Sequence, residues 1–161
     1  MRAYQIFAGM PGEQATTLFQ TIKKQAPAAF AQALQAACAA LKSRPSYLLK
    51  QPFEKQVAAV RRALSRVAAN PVSQETLAVY FLECRKPLLA EWLDAIGVEH
   101  EDGILAQDDP QAPPDDELRN YVAQFRTVDD DPDRDLLLKA FAAQDSIDWP
   151  ALDSLLEETS E

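Results

Sequence analysis

Eleven prolines are set into a chain otherwise dominated by helix formers, and their placement constrains the fold more than any other feature. In the first turn of a helix proline costs nothing, because its missing N–H would have no partner there; deeper in, it costs about 3 kcal/mol. Here nearly every apolar pattern of helical spacing begins at or beside a proline. Ala, Leu, Gln, Glu, Lys and Arg, all good helix formers, fill the segments between, and glycine occurs only four times. Alternating runs of β-branched and aromatic residues, the mark of half-buried strands, are almost absent. The expectation is an all-α fold.

Pro11 opens a helix to Gln25 with Ala15, Leu18, Phe19 and Ile22 on one side. Pro27 opens the next, Ala28 to Leu41, where Phe30, Leu34, Cys38 and Leu41 recur at helical spacing. No charge falls between Lys24 and Lys42, so this Ala-rich segment reads as a central helix buried all round. After a turn from Pro45 to Gln51, Pro52 opens a helix to Ala69 with a stripe of Phe53, Val57, Val60, Leu64 and Val67. Asn70-Pro71 stops it. Ser73 then caps a further helix, with Val72 stapled to Leu77. One apolar face runs from Leu77 through Phe81, Cys84, Leu88 and Trp92 to Ile96, so Pro87 implies a kink or tight break within it. Gly97 has the position of a C-terminal stop, with Val98 packing back on Leu93.

Residues 98–114, acidic and rich in proline, read as a long connection, and one of this length is either functional or mobile. Three acidic helix starts follow, each suited to the positive end of a helix dipole. They lie at Asp115 or Asp116 (carrying Leu118, Tyr121, Val122 and Phe125), at Asp131-Pro132 (Leu136, Leu137, Ala140, Phe141) and at Asp148-Trp149-Pro150 (Leu152, Leu155, Leu156). The architecture expected is a single helical domain over 1–161, an irregular bundle or short stack of helix pairs with six to eight helices. Its 161 residues, 47% hydrophobic and 25% charged, suffice for one substantial core. One internal echo is visible. Leu88-Leu89-x-x-Trp92 leading to Gly97-Val98-Glu99-His100 matches, at the same spacing, Leu137-Leu138-x-x-Phe141 leading to Ser146-Ile147-Asp148-Trp149. Repeat arrays carry three or more copies, and only two are present.

No run approaches the roughly 18 apolar residues of a membrane span, and the first twelve residues are too polar for a secretory leader. A cytoplasmic location is expected by elimination. Cys38 and Cys84 lie on apolar sides of helical patterns and read as small buried hydrophobes rather than nucleophiles or disulfide partners.

Chemistry has few places to reside. His100, the single histidine, lies in Glu99-His100-Glu101-Asp102 and suggests a metal ligand or general base; a catalytic zinc site draws on three protein ligands, so a solvated loop is the favoured reading. The run Asp129-Asp130-Asp131-Pro132-Asp133-Arg134-Asp135 brings carboxylates together as calcium requires. Counted from Asp129, however, the sixth position is Arg134 and the twelfth Ala140, where an EF-hand needs Gly and Glu; helix capping accounts for the run. Gly9, Gly12, Gly97 and Gly103 form no phosphate-binding loop. No cofactor, metal or catalytic residue is assigned, and no pattern is specific enough to point to a family.

Charge is more informative. Residues 1–98 carry twelve Lys or Arg against six Asp or Glu, and residues 99–161 four against nineteen, a net +6 facing −15. Such asymmetry hints at an interaction surface. On the helix after Pro52, Lys55, Arg62 and Arg66 fall within about 40° of one another, opposite the apolar stripe, with Lys42, Arg44 and Lys50 just before it. Two aromatics, Tyr47 in a turn and Trp149 at a helix start, are expected to be part-exposed interface anchors. The candidate interaction surface is therefore Lys55, Arg62, Arg66, His100, Asp102 and Trp149. The expected function is a non-catalytic protein–protein interaction module. The first alternative is nucleic-acid binding by the basic face, disfavoured by a pI near 4.6 and by the lack of aromatics interleaved for base stacking. The second is an enzyme using the His100 loop.

Overall fold

The structure is a computed structural model describing residues 1–159. Ten α-helices, a short 3-10 turn, a π-helical segment and one two-stranded hairpin make up the regular structure of the described residues, so the all-α expectation holds and the six to eight helices expected were too few. No helix among these residues is long and apolar enough to cross a membrane. The chain forms two compact units, residues 2–84 and residues from Arg85 onward, the second also taking in Met1.

The N-terminal unit begins with a helix that the sequence reading missed. α1 (Ala3–Gly9) buries Ala3, Ile6 and Phe7, while Gln5 Oε1 accepts the Arg2 N–H at its start. α2 (Gly12–Gln25) follows, then α3 (Pro27–Leu41) with Pro27 in its first turn. α3 buries Phe30, Ala33, Leu34, Ala37 and Cys38, but Ala31, Gln32, Gln35 and Ala39 are exposed. Neutral composition therefore did not mean burial all round; Ala and Gln simply serve on a solvated face. Between α3 and α5 the expected turn contains a five-residue helix, α4 (Pro45–Leu49). α5 (Phe53–Leu64) stops short of Ala69; a 3-10 turn at Val67–Ala69 follows, and Val67, assigned to the core stripe, is exposed. α6 (Asn70–Val79) starts at the Asn70-Pro71 pair read as a stop, because proline fits a helix's first turn. Ser73 is then interior, and its Oγ donates to the Leu64 carbonyl at 2.7 Å.

A chain of aromatic rings holds this unit together. Phe7 meets Phe19 at 6.0 Å, Phe19 meets Phe30 at 6.4 Å and Phe30 meets Phe53 at 5.8 Å, linking α1, α2, α3 and α5. Each fully buried ring contributes roughly 1.5–3 kcal/mol. Lys23 sits over the last two rings, 5.7 and 5.2 Å from their centroids.

After α6 the helix widens to π geometry over Tyr80–Cys84 and breaks at Arg85 (φ −129°, ψ 36°), which places Pro87 in the first turn of α7 (Lys86–Ala95). This is the break that Pro87 demanded. α7 ends in the expected stop: Gly97 has φ +70°, its N–H bonds the Asp94 carbonyl, and the Val98 N–H bonds the Leu93 carbonyl at 3.0 Å. The C-terminal unit continues with β1 (His100–Glu101) and β2 (Ile104–Leu105), then α8 (Asp115–Thr127), α9 (Asp133–Ala142) and α10 (Pro150–Glu158). Trp92 is its hub, 5.2 Å from Phe125 and 6.1 Å from Phe141, which in turn meets Trp149 at 5.3 Å. The echoed segments diverge after their helices: α7 leads into a hairpin, whereas α9 leads to Trp149 and the start of α10.

Candidate functional site

The residues expected to form a basic face are distributed differently from the helical projection. Lys55 and Arg62 are exposed two turns apart on α5. Arg66 lies beyond the helix end, where its Nη1 reaches the Ala40 carbonyl near the end of α3. Arg61 is turned inward and donates from Nε to the Phe7 carbonyl at 3.2 Å. Solvent-facing cations are instead supplied by the segment between α3 and α5. Lys42 closes α3 in the left-handed region (φ 53°), and Lys42, Arg44 and Lys50 are all exposed. α4 buries only Leu48, so its neighbours Tyr47 and Leu49 remain 62% exposed. Gln56 fixes this arrangement by donating Nε2 to the Leu48 and Leu49 carbonyls, at 3.3 and 3.2 Å. An exposed aromatic and an exposed leucine thus stand among four cations, counting Lys55. The sequence reading found no such interleaving because it treated this stretch as a connecting turn, though it did single out Tyr47.

The acidic run 129–135 is not open to a cation. Asp129 Oδ1 accepts from Arg134 Nε at 2.8 Å, and Arg134 also grips Glu91 through both Nη atoms, at 2.9 and 3.2 Å. The Arg134 guanidinium is buried, donates to the Phe125 carbonyl and lies 4.8 Å from that ring's centroid. Arg85 pairs with Asp131 and, at 3.3 Å, with Asp133. Asp135 is shared between Arg126 at 2.6 Å and Lys139 at 2.7 Å. The Arg134 hydrogen bond, helped by the Asp131 N–H, holds the Asp129 carboxyl below its usual range, and the same bond together with Glu91 raises Arg134 further above its own. Burial alone pushes the Asp135 carboxyl up, but Lys139 and Arg126 outweigh it and leave that group depressed. These are structural ties between α7, α8 and α9. Among the described residues no three His, Cys, Asp or Glu side chains converge as metal ligands.

His100 sits in the hairpin. Asp102 (φ 52°) and Gly103 (φ 89°) make the two-residue turn, pairing His100 with Leu105 and Glu101 with Ile104. An Asp-Gly pair favours this turn because both residues must adopt positive φ; that dipeptide was the overlooked signal. The imidazole folds back towards α7: Nδ1 accepts the Gly103 N–H at 3.1 Å, which leaves Nε2 to carry the hydrogen and donate to Asp94 at 2.7 Å. Both nitrogens are occupied in holding the hairpin. A groove of about 950 Å³ lies between α7 and the hairpin, lined among others by Lys86, Asp94, Glu99, His100 and Leu105. Asp102, at the turn, is exposed on its rim.

Trp149 is buried rather than an exposed anchor, because its ring packs on Phe141 and its Nε1 donates to the Pro110 carbonyl at 2.8 Å, tying down the long connection. Cys38 is buried and Cys84 half-buried, and burial, with Glu83 beside it, pushes the Cys84 thiol up, away from the reactive thiolate. Comparison with family models, with curated proteins and with solved structures finds no match to this chain.

Proposed function

We propose that this chain is a non-catalytic helical interaction module that binds an acidic partner protein through the cationic surface around α4 and the start of α5. The observation that carries this reading is the exposure of Tyr47 and Leu49 among Lys42, Arg44, Lys50 and Lys55. Interface hot spots combine an aromatic anchor with flanking charge, and cations set the encounter rate and the sign of the partner. An enzyme working through His100 gains no support from the site, since a general base needs a free lone pair and both ring nitrogens are engaged.

The test is affinity capture from the native cell extract with wild-type protein and with a Lys50→Glu, Lys55→Glu, Arg62→Glu variant, each with and without nuclease. One protein retained near stoichiometry by the wild type in both conditions, and lost from the variant, is the expected result. Equal capture by both forms, or none, overturns the reading. A second reading, single-stranded nucleic acid, is favoured by one feature: the Tyr47 ring is exposed in a stretch with Arg44 and Lys50, where a base can stack between phosphate contacts. It predicts material that disappears with nuclease and an affinity that falls steeply with salt.

A further inference from the structure

We propose that the outer edge of β2 in the C-terminal unit is a docking site for an extended basic peptide, which adds there as a third strand. This is independent of the cationic surface of the other unit. The hairpin register decides which backbone groups are free to pair. Ala106 N–H bonds the Glu99 carbonyl at 3.0 Å, so residues 99 and 106 form a hydrogen-bonded pair. Pairs alternate along an antiparallel ladder, which makes His100 and Leu105 the non-hydrogen-bonded pair, with N–H and C=O pointing outward along the two edges. β1 emerges directly from the Gly97 stop of α7, and His100 is tied to Asp94 there. The β2 edge, by contrast, continues into exposed residues 106–109, and Ile104 beside it is 66% exposed. An uncovered strand edge flanked by a large exposed apolar side chain is the arrangement that strand addition uses.

The two faces of such an added strand meet different surroundings. Residues 98, 100 and 105 share one face of the hairpin, which offers Val98 and Leu105 to apolar side chains. The other face carries exposed Glu99, Glu101 and Ile104. Charge then selects the partner. Salt bridges in this unit engage Arg85, Arg119, Arg126, Arg134 and Lys139 with carboxylates elsewhere, and among the described residues none neutralises Glu99, Glu101 or Asp102. Lys86 is the single cation on the groove. The occupant is therefore a segment alternating apolar and Lys or Arg residues: its apolar side chains share the face of Val98 and Leu105, and its cations share the face of Glu99 and Glu101.

The experiment uses the full chain and a short fluorescein-labelled peptide alternating Val with Arg, read by anisotropy and by the backbone amide signal of Leu105. Three companions complete it: the same peptide N-methylated at alternate amides, a peptide alternating Val with Glu, and a Glu99→Lys, Glu101→Lys protein whose changes are confined to exposed positions. Expected are saturable binding of the Val/Arg peptide with a shift at Leu105, and at least a tenfold weakening both on N-methylation and in the protein variant. The Val/Glu peptide should not bind. Equal affinity for the N-methylated peptide removes strand addition, equal affinity for the Val/Glu peptide removes the charge argument, and no binding of the Val/Arg peptide removes the site. The Lys50→Glu, Lys55→Glu, Arg62→Glu variant should retain this binding, so failure here and failure of the acidic-partner reading are told apart.

Discussion

Replacing Arg134 with Met probes the most heavily tied charge in the C-terminal unit. Methionine keeps the apolar stem that packs near Phe125 and removes only the guanidinium. The wild-type group is buried and donates to Glu91, Asp129 and the Phe125 carbonyl. Breaking a fully buried ion pair by removing one partner costs about 3–5 kcal/mol. Here the carboxylates left behind, Glu91 at 45% and Asp129 at 52% exposure, regain water when the arginine is gone. That places the loss nearer about 2–3 kcal/mol, and for a domain of this size about 4–8 °C per kcal/mol gives a midpoint lowered by roughly 10–20 °C. Both tryptophans of the chain, Trp92 and Trp149, are buried in this unit, so thermal unfolding followed by tryptophan fluorescence reports on it alone. Arg134→Lys should fall between wild type and Met, since an ammonium cannot make the forked contact with Glu91. A Met variant whose fluorescence midpoint moves by less than about 3 °C refutes the claim that this network joins α7, α8 and α9.

Further outcomes follow from the same geometry. Asp129 and Asp135 are held below their ordinary range in the folded unit; a depressed folded value means stability that is complete above the unfolded carboxyl range, about pH 4, and is lost as pH falls through the folded values. The tryptophan-monitored midpoint should therefore stay level from neutral pH to about 5 and drop below about 4, with a shallower drop in Asp135→Asn; a fall beginning near pH 6 contradicts this. Gly97→Ala meets no atom within 4 Å, so only its φ of +70° is strained, and chemical denaturation should show a loss of about 1 kcal/mol, against less for Gly97→Asn. His100→Ala removes the acceptor of the Gly103 N–H and the tie to Asp94; hydrogen exchange at Gly103 and Ala106 should rise at least tenfold while the Trp92 core stays protected, and unchanged exchange would show that the imidazole does not hold the hairpin.

What could be read in advance depended on how local its cause is. The stop at Gly97 needs only a residue tolerant of positive φ and an apolar neighbour, both within five residues, and it forms as expected. The core stripes of α2, α7 and α8 likewise follow from helical spacing. Helix ends were less legible. Arg66 projects onto the α5 face only if the helix continues past Leu64, and Ser73 caps only if Asn70-Pro71 is a stop. The hairpin was hidden because its strands are two residues each, too short for alternation to register, although Asp102-Gly103 announced the turn. Arg134 and Trp149 were beyond local reasoning: Glu91 lies 43 residues from Arg134, and Pro110 lies 39 from Trp149. A lone arginine among aspartates looks like part of a cap until the chain brings a second carboxylate to it.

The candidate docking edge was illegible for a related reason, and its physics separates it from the rest of the acidic unit. Asp129, Asp131, Asp133 and Asp135 are paired internally with four cations, Arg85, Arg126, Arg134 and Lys139, so they contribute to cohesion and little to the outward field. Those at 99–102 have no such partner among the described residues, and Glu99, Glu101 and Asp102 are exposed. Exposed charges separated by more than about 8 Å are screened at physiological salt, whereas buried pairs are screened far less. Raising the salt should therefore weaken recruitment of a basic peptide to the hairpin well before it disturbs the Arg134 network beneath. Within the net −15 of residues 85–161, these two groups have separate roles: a sequence run that looks like a cation site but acts as an internal clamp, and a short hairpin that looks like a connection but sets unpaired carboxylates beside an open strand edge.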